Sequence, residues 1–149
     1  MKKPRHKYAV RTFPDGSKAW FRDGKLHRGR DLPAFVWPSG TKEWRRDGKL
    51  HRDGGRPAIE LANGDKAWYR DGQLHRGGDL PAVVRADRTK MWYRGGKRHR
   101  DGDLPAVVWA NGTKSWYRDD KRHRDGGRPA IEWADGRVEF WVDGKRANR

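Results

Sequence analysis

Tryptophan recurs at one fixed interval along this chain. Trp20, Trp44, Trp68, Trp92 and Trp116 are each 24 residues apart, and Phe140 takes the next place. His27, His51, His75, His99 and His123 keep the same step, as do Pro33, Pro57, Pro81, Pro105 and Pro129. A period of this length marks a repeat architecture, in which each unit buries its apolar surface only against its neighbours. The repeat runs through the 149 residues with a partial unit at each end. A single repeat domain is expected, with units near 8–31, 32–55, 56–79, 80–103, 104–127 and 128–149.

This periodicity outweighs composition. A formal charge of +16 with only 33% hydrophobic residues would by itself suggest disorder. Nine tryptophans and regularly spaced turn dipeptides argue for order. The apolar fraction is too small for a thick core. The expected fold is all-β: an elongated, twisted antiparallel sheet of about six stacked 24-residue β-hairpins.

The fifth unit shows the reasoning. Pro105 to Ala110 reads as a strand, Asn111-Gly112 as a two-residue turn, and Thr113 to Arg118 as the return strand. Asn-Gly and Asp-Gly favour type I′ turns, where both central residues take positive φ. Asp15-Gly16, Ser39-Gly40, Asn63-Gly64 and Asp135-Gly136 are equivalent, while Asp87-Arg88 should be strained or differently shaped. A second turn follows at Asp23-Gly24, Asp47-Gly48, Asp71-Gly72 and Asp143-Gly144. Counting outward from the first turn places Val107 opposite Trp116, and likewise Phe35, Ile59, Val83 and Ile131 opposite their aromatic, with Arg11 opposite Trp20. Counting from the second turn places each His opposite its Trp.

The segments Trp68-Tyr69-Arg70-Asp71-Gly72-Gln73-Leu74 and His99 to Ala106 resemble MORN repeats. The variant they look like occurs in bacterial antitoxin-like proteins and in phage and giant-virus repeat proteins. The resemblance covers essentially the whole chain. It implies stacked hairpins that serve as a scaffold or binding surface and, on the phage side, interference with a host system.

No cysteine is present, so neither disulfides nor thiolate zinc sites are available. No apolar run approaches membrane-spanning length and no signal-peptide pattern is visible. A soluble cytoplasmic protein without a membrane partner is expected, in the host cytoplasm if phage-encoded.

Catalysis is not expected. His51-Arg52-Asp53 and its copies imitate part of a kinase motif whose other parts are missing. A repeated unit does not supply the asymmetric constellation that an enzyme site needs. No metal or other cofactor is implied, because one His per unit lacks the clustering of a metal site.

The candidate ligand-binding residues form three recurring sets. The first is Lys18 and Arg22, Lys42 and Arg46, Lys66 and Arg70, Lys90 and Arg94, and Lys114 and Arg118. The second is the five tryptophans, and the third the five histidines. Cations spaced along a sheet could track phosphates while rings stack bases. The competing reading packs the Trp as core, covered by Lys and Arg stems. The leading expectation is a non-enzymatic binder of a polyanion, whether DNA, RNA or a sequestered nucleotide. The alternative is an inhibitor or adaptor, of the phage anti-defence kind, that docks on an acidic host protein. Lys2, Lys3, Arg5 and Lys7, and Lys145, Arg146 and Arg149 at the other end, should resist edge pairing and favour a monomer or small oligomer.

Overall fold

A computed structural model of the chain describes residues 5–148, so Lys2, Lys3 and Arg149 lie outside the described residues. All regular structure among these residues is strand, and every pairing is antiparallel. Two compact units divide between Gln73 and Leu74. In the first, strands Tyr8–Thr12, Lys18–Arg22, Phe35–Val36, Lys42–Glu43, Ile59–Glu60 and Lys66–Ala67 pair in that order. In the second, the order is Val83–Val84, Lys90–Met91, Val107–Val108, Lys114–Ser115, Ile131–Glu132, Val138–Val142 and Lys145–Ala147.

The first turn of each repeat is not the expected type I′. Trp109 N–H donates to Thr113 O at 2.9 Å and Gly112 N–H to Trp109 O at 2.9 Å, closing a three-residue loop. Gly112 has φ 90, whereas Asn111 is not among the residues with positive φ. The Asn111 side chain instead accepts the Thr113 N–H at 2.9 Å. This is a type I turn followed by a left-handed glycine bulge. Asp15, Asn63, Asp87 and Asp135 make the same side-chain cap to the residue two places on. Arg88 sits at φ 75 where the other copies have glycine. It closes the same loop, with Arg88 N–H to Arg85 O at 2.9 Å.

One extra loop residue shifts the register by one, which moves a side chain to the other face. Val107 therefore faces Ser115, and Lys114 faces Val108. Phe35 meets Glu43, Ile59 meets Ala67, Val83 meets Met91 and Ile131 meets Glu139. Arg11 pairs with Ala19, and Trp20 with Val10. The expected facing of Trp with these apolar residues is thus corrected, and the tryptophans belong to the opposite side of the sheet.

In the second to fifth repeats, the return strand breaks at Trp. Trp44 N–H crosses to Ala58 O at 2.8 Å and Trp116 N–H to Ala130 O at 2.9 Å. Beyond the break, Arg45–Arg46 pairs with Lys49–Leu50, Tyr93–Arg94 with Lys97–Arg98, and Tyr117–Arg118 with Lys121–Arg122. Here the turn is a true two-residue loop with both φ positive, as at Asp47 (51) and Gly48 (85). The counted register holds across it: His27, His51, His99 and His123 each donate their N–H to the facing Trp carbonyl at 2.9–3.1 Å.

Two thin cores result, one on each face. In the second unit, Val107, Tyr117 and Ala106 form one cluster with Met91 and Trp109 against it. On the other side, Trp44, Trp68, Trp92 and Trp116 are buried. The alanine of each Pro-Ala pair has no exposed surface, because the backbones approach most closely there. Successive repeats are also stitched by threonine: Ala62 N–H donates to Thr41 Oγ1, Ala110 N–H to Thr89 Oγ1 and Ala134 N–H to Thr113 Oγ1.

Candidate functional site

The tryptophan side of the sheet carries most of the charged chemistry, and its arginines and lysines have different roles. In four repeats the arginine after the His lies over a Trp ring. The guanidinium carbon stands 3.8 Å from the ring centre for Arg28 on Trp20, 3.7 Å for Arg52 on Trp44, 3.9 Å for Arg100 on Trp92 and 3.8 Å for Arg124 on Trp116. Three of these arginines also grip an aspartate 21 residues earlier through Nε and Nη2. The pairs are Arg52 with Asp31, Arg100 with Asp79 and Arg124 with Asp103, at 2.8–3.1 Å. Such two-pronged contacts join one repeat to the next with fixed geometry. The guanidinium of Arg52 holds the Asp31 carboxyl below its usual range, and that of Arg124 does the same to Asp103.

Four of these tryptophans are further tied by the indole N–H. It donates to Asp31 O for Trp44, Gly55 O for Trp68, Asp79 O for Trp92 and Asp103 O for Trp116, at 2.7–3.0 Å. The rings are therefore core, with a guanidinium across one face of Trp44, Trp92 and Trp116. This is the core reading of the two that the sequence offered for them. Trp20, half-buried, is covered by Arg28 in the same way.

The histidines are also built into the framework. His51 Nδ1 lies 2.9 Å from Asp71 and its Nε2 2.9 Å from Asp53. His99 sits between Asp119 and Asp101, and His123 between Asp143 and Asp125, at 2.8–3.0 Å. His27 accepts the Asp47 N–H, and burial, followed by the nearby Arg22, lowers its pKa. Where His75 stands, Gly77 and Gly95 replace the flanking aspartates. Among the described residues, no group of His, Asp and Glu gathers as a metal site would.

The predicted arginines divide. Arg22 binds Asp47 at 2.5 Å, Arg94 binds Asp101 at 3.0 Å, and Arg46 and Arg118 bind Asp53 and Asp125. Arg70 has Gly77 at the corresponding position and makes no ion pair among the described residues. The predicted lysines behave alike: Lys18, Lys42, Lys66, Lys90 and Lys114 are all exposed, and no described lysine forms an ion pair. A second exposed row, Lys25, Lys49, Lys97, Lys121 and Lys145, follows the second turn and was not in the predicted set.

Clefts open beside the stacked Arg-Trp pairs. One of about 320 Å³ lies between residues 27–31 and 44–56, and another of about 230 Å³ surrounds Trp116. The Arg52 column was missed as well, although His-Arg recurs in all five copies. No family model, curated protein or solved structure matches the chain. No helix among the described residues is long and apolar enough to cross a membrane.

Proposed function

We propose that this protein is a non-enzymatic binder of a phosphate-rich ligand, engaged through its exposed lysine rows. The supporting observation is the split between the two cation types. Most of the repeat arginines are held by aspartates, main-chain carbonyls or rings, whereas no described lysine forms an ion pair, even where Glu60 faces Lys42 and Lys66 and Glu132 faces Lys114. Pairing sets Lys18 and Lys42 on either side of Val36, and Lys90 and Lys114 on either side of Val108. Two strand steps of ~4.8 Å put such neighbours roughly 10 Å apart, about three phosphates of a B-form strand. The resemblance to MORN repeats fits a binding surface. Each unit offers five such lysines, Lys18, Lys25, Lys42, Lys49 and Lys66 in the first.

A labelled random-sequence single strand, titrated between 50 and 200 mM salt as in ordinary counterion-release measurements, tests this. Five contacts predict a slope of about −3.5 in log K against log salt. Replacing Lys42, Lys66, Lys90 and Lys114 together with Gln should flatten that slope. Salt-independent binding, or an unchanged slope in the quadruple variant, would refute the reading. Stoichiometric capture of an acidic host protein, with no affinity for the oligonucleotide, would favour the inhibitor or adaptor reading instead.

A further inference from the structure

Five copies of one loop follow the five histidines: residues 27–31 read His-Arg-Gly-Arg-Asp, and residues 99–103 read His-Arg-Asp-Gly-Asp. The fourth place of this loop is Gly54, Gly78, Gly102 and Gly126 in four copies, all with φ 70–73. Arg30 alone occupies it in the first copy, at φ 57. A bulky side chain in left-handed backbone is strained, and such strain persists where the side chain has a task. The guanidinium of Arg30 is exposed and makes no ion pair among the described residues.

The neighbouring place is altered in the same sense. Gly29 stands where Asp53, Asp101 and Asp125 hold a His and an Arg in other copies. Arg28, stacked on Trp20, has Lys7 rather than an aspartate 21 residues before it, and so lacks the carboxylate that Arg52, Arg100 and Arg124 hold. Arg56 adds a further cation, reaching Asp31 at 2.5 Å beside Arg52. These changes meet in the 320 Å³ cleft, whose walls include Arg28, Arg30, Arg46, Arg52 and Arg56 against Asp31 and Asp53. The cleft around Trp116 is balanced: Arg100, Arg118 and Arg124 against Asp101, Asp103 and Asp125.

We propose that the first-unit cleft is a discrete site for the phosphoryl group of a small ligand, a pyrophosphate or nucleotide phosphate. Its size suits a compact anionic group, and guanidinium is the side chain best shaped for phosphate oxygens. Arg28, Arg30 and Arg56, which line it, would supply charge-assisted hydrogen bonds. This site is separate from the lysine rows and does not require them to bind a polymer.

The test is calorimetric titration of the full chain with inorganic pyrophosphate, and in parallel with a nucleoside diphosphate, near physiological salt. One saturable site is expected. Equal affinity for the two probes would assign the site to the phosphoryl group alone, and tighter nucleoside binding would add a contact to the base. Arg30→Gly restores the glycine of the other copies, so it should raise the thermal midpoint while weakening binding about tenfold, the worth of one charged hydrogen bond. Gly29→Asp, at a position with open space around it, should weaken binding too by recreating the carboxylate of the balanced clefts. Absence of saturable binding, or full affinity in Arg30→Gly, overturns the proposal. Both variants keep every lysine, so oligonucleotide binding on the same samples separates this failure from failure of the lysine-row reading.

Discussion

Replacing Arg124 with Lys should destabilise the second unit even though charge is conserved. Arg124 makes four kinds of interaction at once. It grips Asp103 with Nε and Nη2 at 2.9 and 3.1 Å, reaches Glu132 at 2.7 Å and the Pro129 carbonyl at 3.2 Å, and covers Trp116 at 3.8 Å. Lysine cannot present a planar fork, so it keeps one of the carboxylate contacts and loses the flat stacking. A charged hydrogen bond contributes about 1.5–3 kcal/mol and the stacking about 0.5–2 kcal/mol. Asp103 is part exposed and also held by Arg128, so its charge is not stranded by the change. Solvent screening of these part-exposed carboxylates brings the loss below the sum of those figures, to about 1–2 kcal/mol for Arg124→Lys and about 2–3 kcal/mol for Arg124→Ala. Urea unfolding followed by far-ultraviolet circular dichroism is the suitable assay, since urea does not screen ion pairs and the signal does not depend on Trp116. An Arg124→Lys variant within about 0.5 kcal/mol of the parent would refute the clamp argument.

Three further outcomes follow from the same geometry. Arg88→Gly should stabilise the second unit by about 0.5–1 kcal/mol in urea, since relief of a left-handed non-glycine residue exceeds the added freedom of the unfolded chain. Ala106→Val should lose about 1–3 kcal/mol, because Ala106 has no exposed surface and its backbone lies between two repeats. Stability should also fall on acidification. The pKa of His27 is lowered by burial and by Arg22, so the unfolded chain binds the extra proton first as pH drops below about 6.5. The carboxyls of Asp31 and Asp103 are lowered by Arg52 and Arg124, so their contribution is complete above about pH 4 and is lost as pH falls through their folded values. In thermal melts from pH 7 to pH 3, His27→Gln should flatten the upper part of this decline and leave the lower part. An identical profile in the variant would remove His27 as the cause.

The repeat, the hairpins and the turn positions were legible in the sequence because glycine and Asp-Gly recur at one step. The register was not. Asn111-Gly112 suits a two-residue loop and also a three-residue loop with a glycine bulge. Alternation could not arbitrate, since Val107, Val108 and Trp109 are all apolar and fit either face. What decides it is the Asn111 side chain, whose cap to Thr113 requires right-handed backbone at Asn111 and leaves only Gly112 left-handed. The second turns lack that competing cap in most copies. There the two-residue count succeeded, and His could be placed opposite Trp.

The charged side chains divided along a similar line. Exposure of the lysines followed from a long aliphatic stem and a strongly hydrated head, both properties of the residue itself. The role of an arginine depends on a partner that no local pattern names: Arg52 and Asp31 are 21 residues apart and belong to different repeats. Alignment of the copies against one another does carry that information. Arginine at residue 30, where the other copies have glycine at 54, 78, 102 and 126, marks the cleft with the excess of cations. In a repeat protein the conserved framework is the background against which a single altered copy becomes visible. Arg30 and Arg88 both cost backbone strain in a place that is glycine in the other copies, but Arg30 lines the first-unit cleft, so it is the residue to test first.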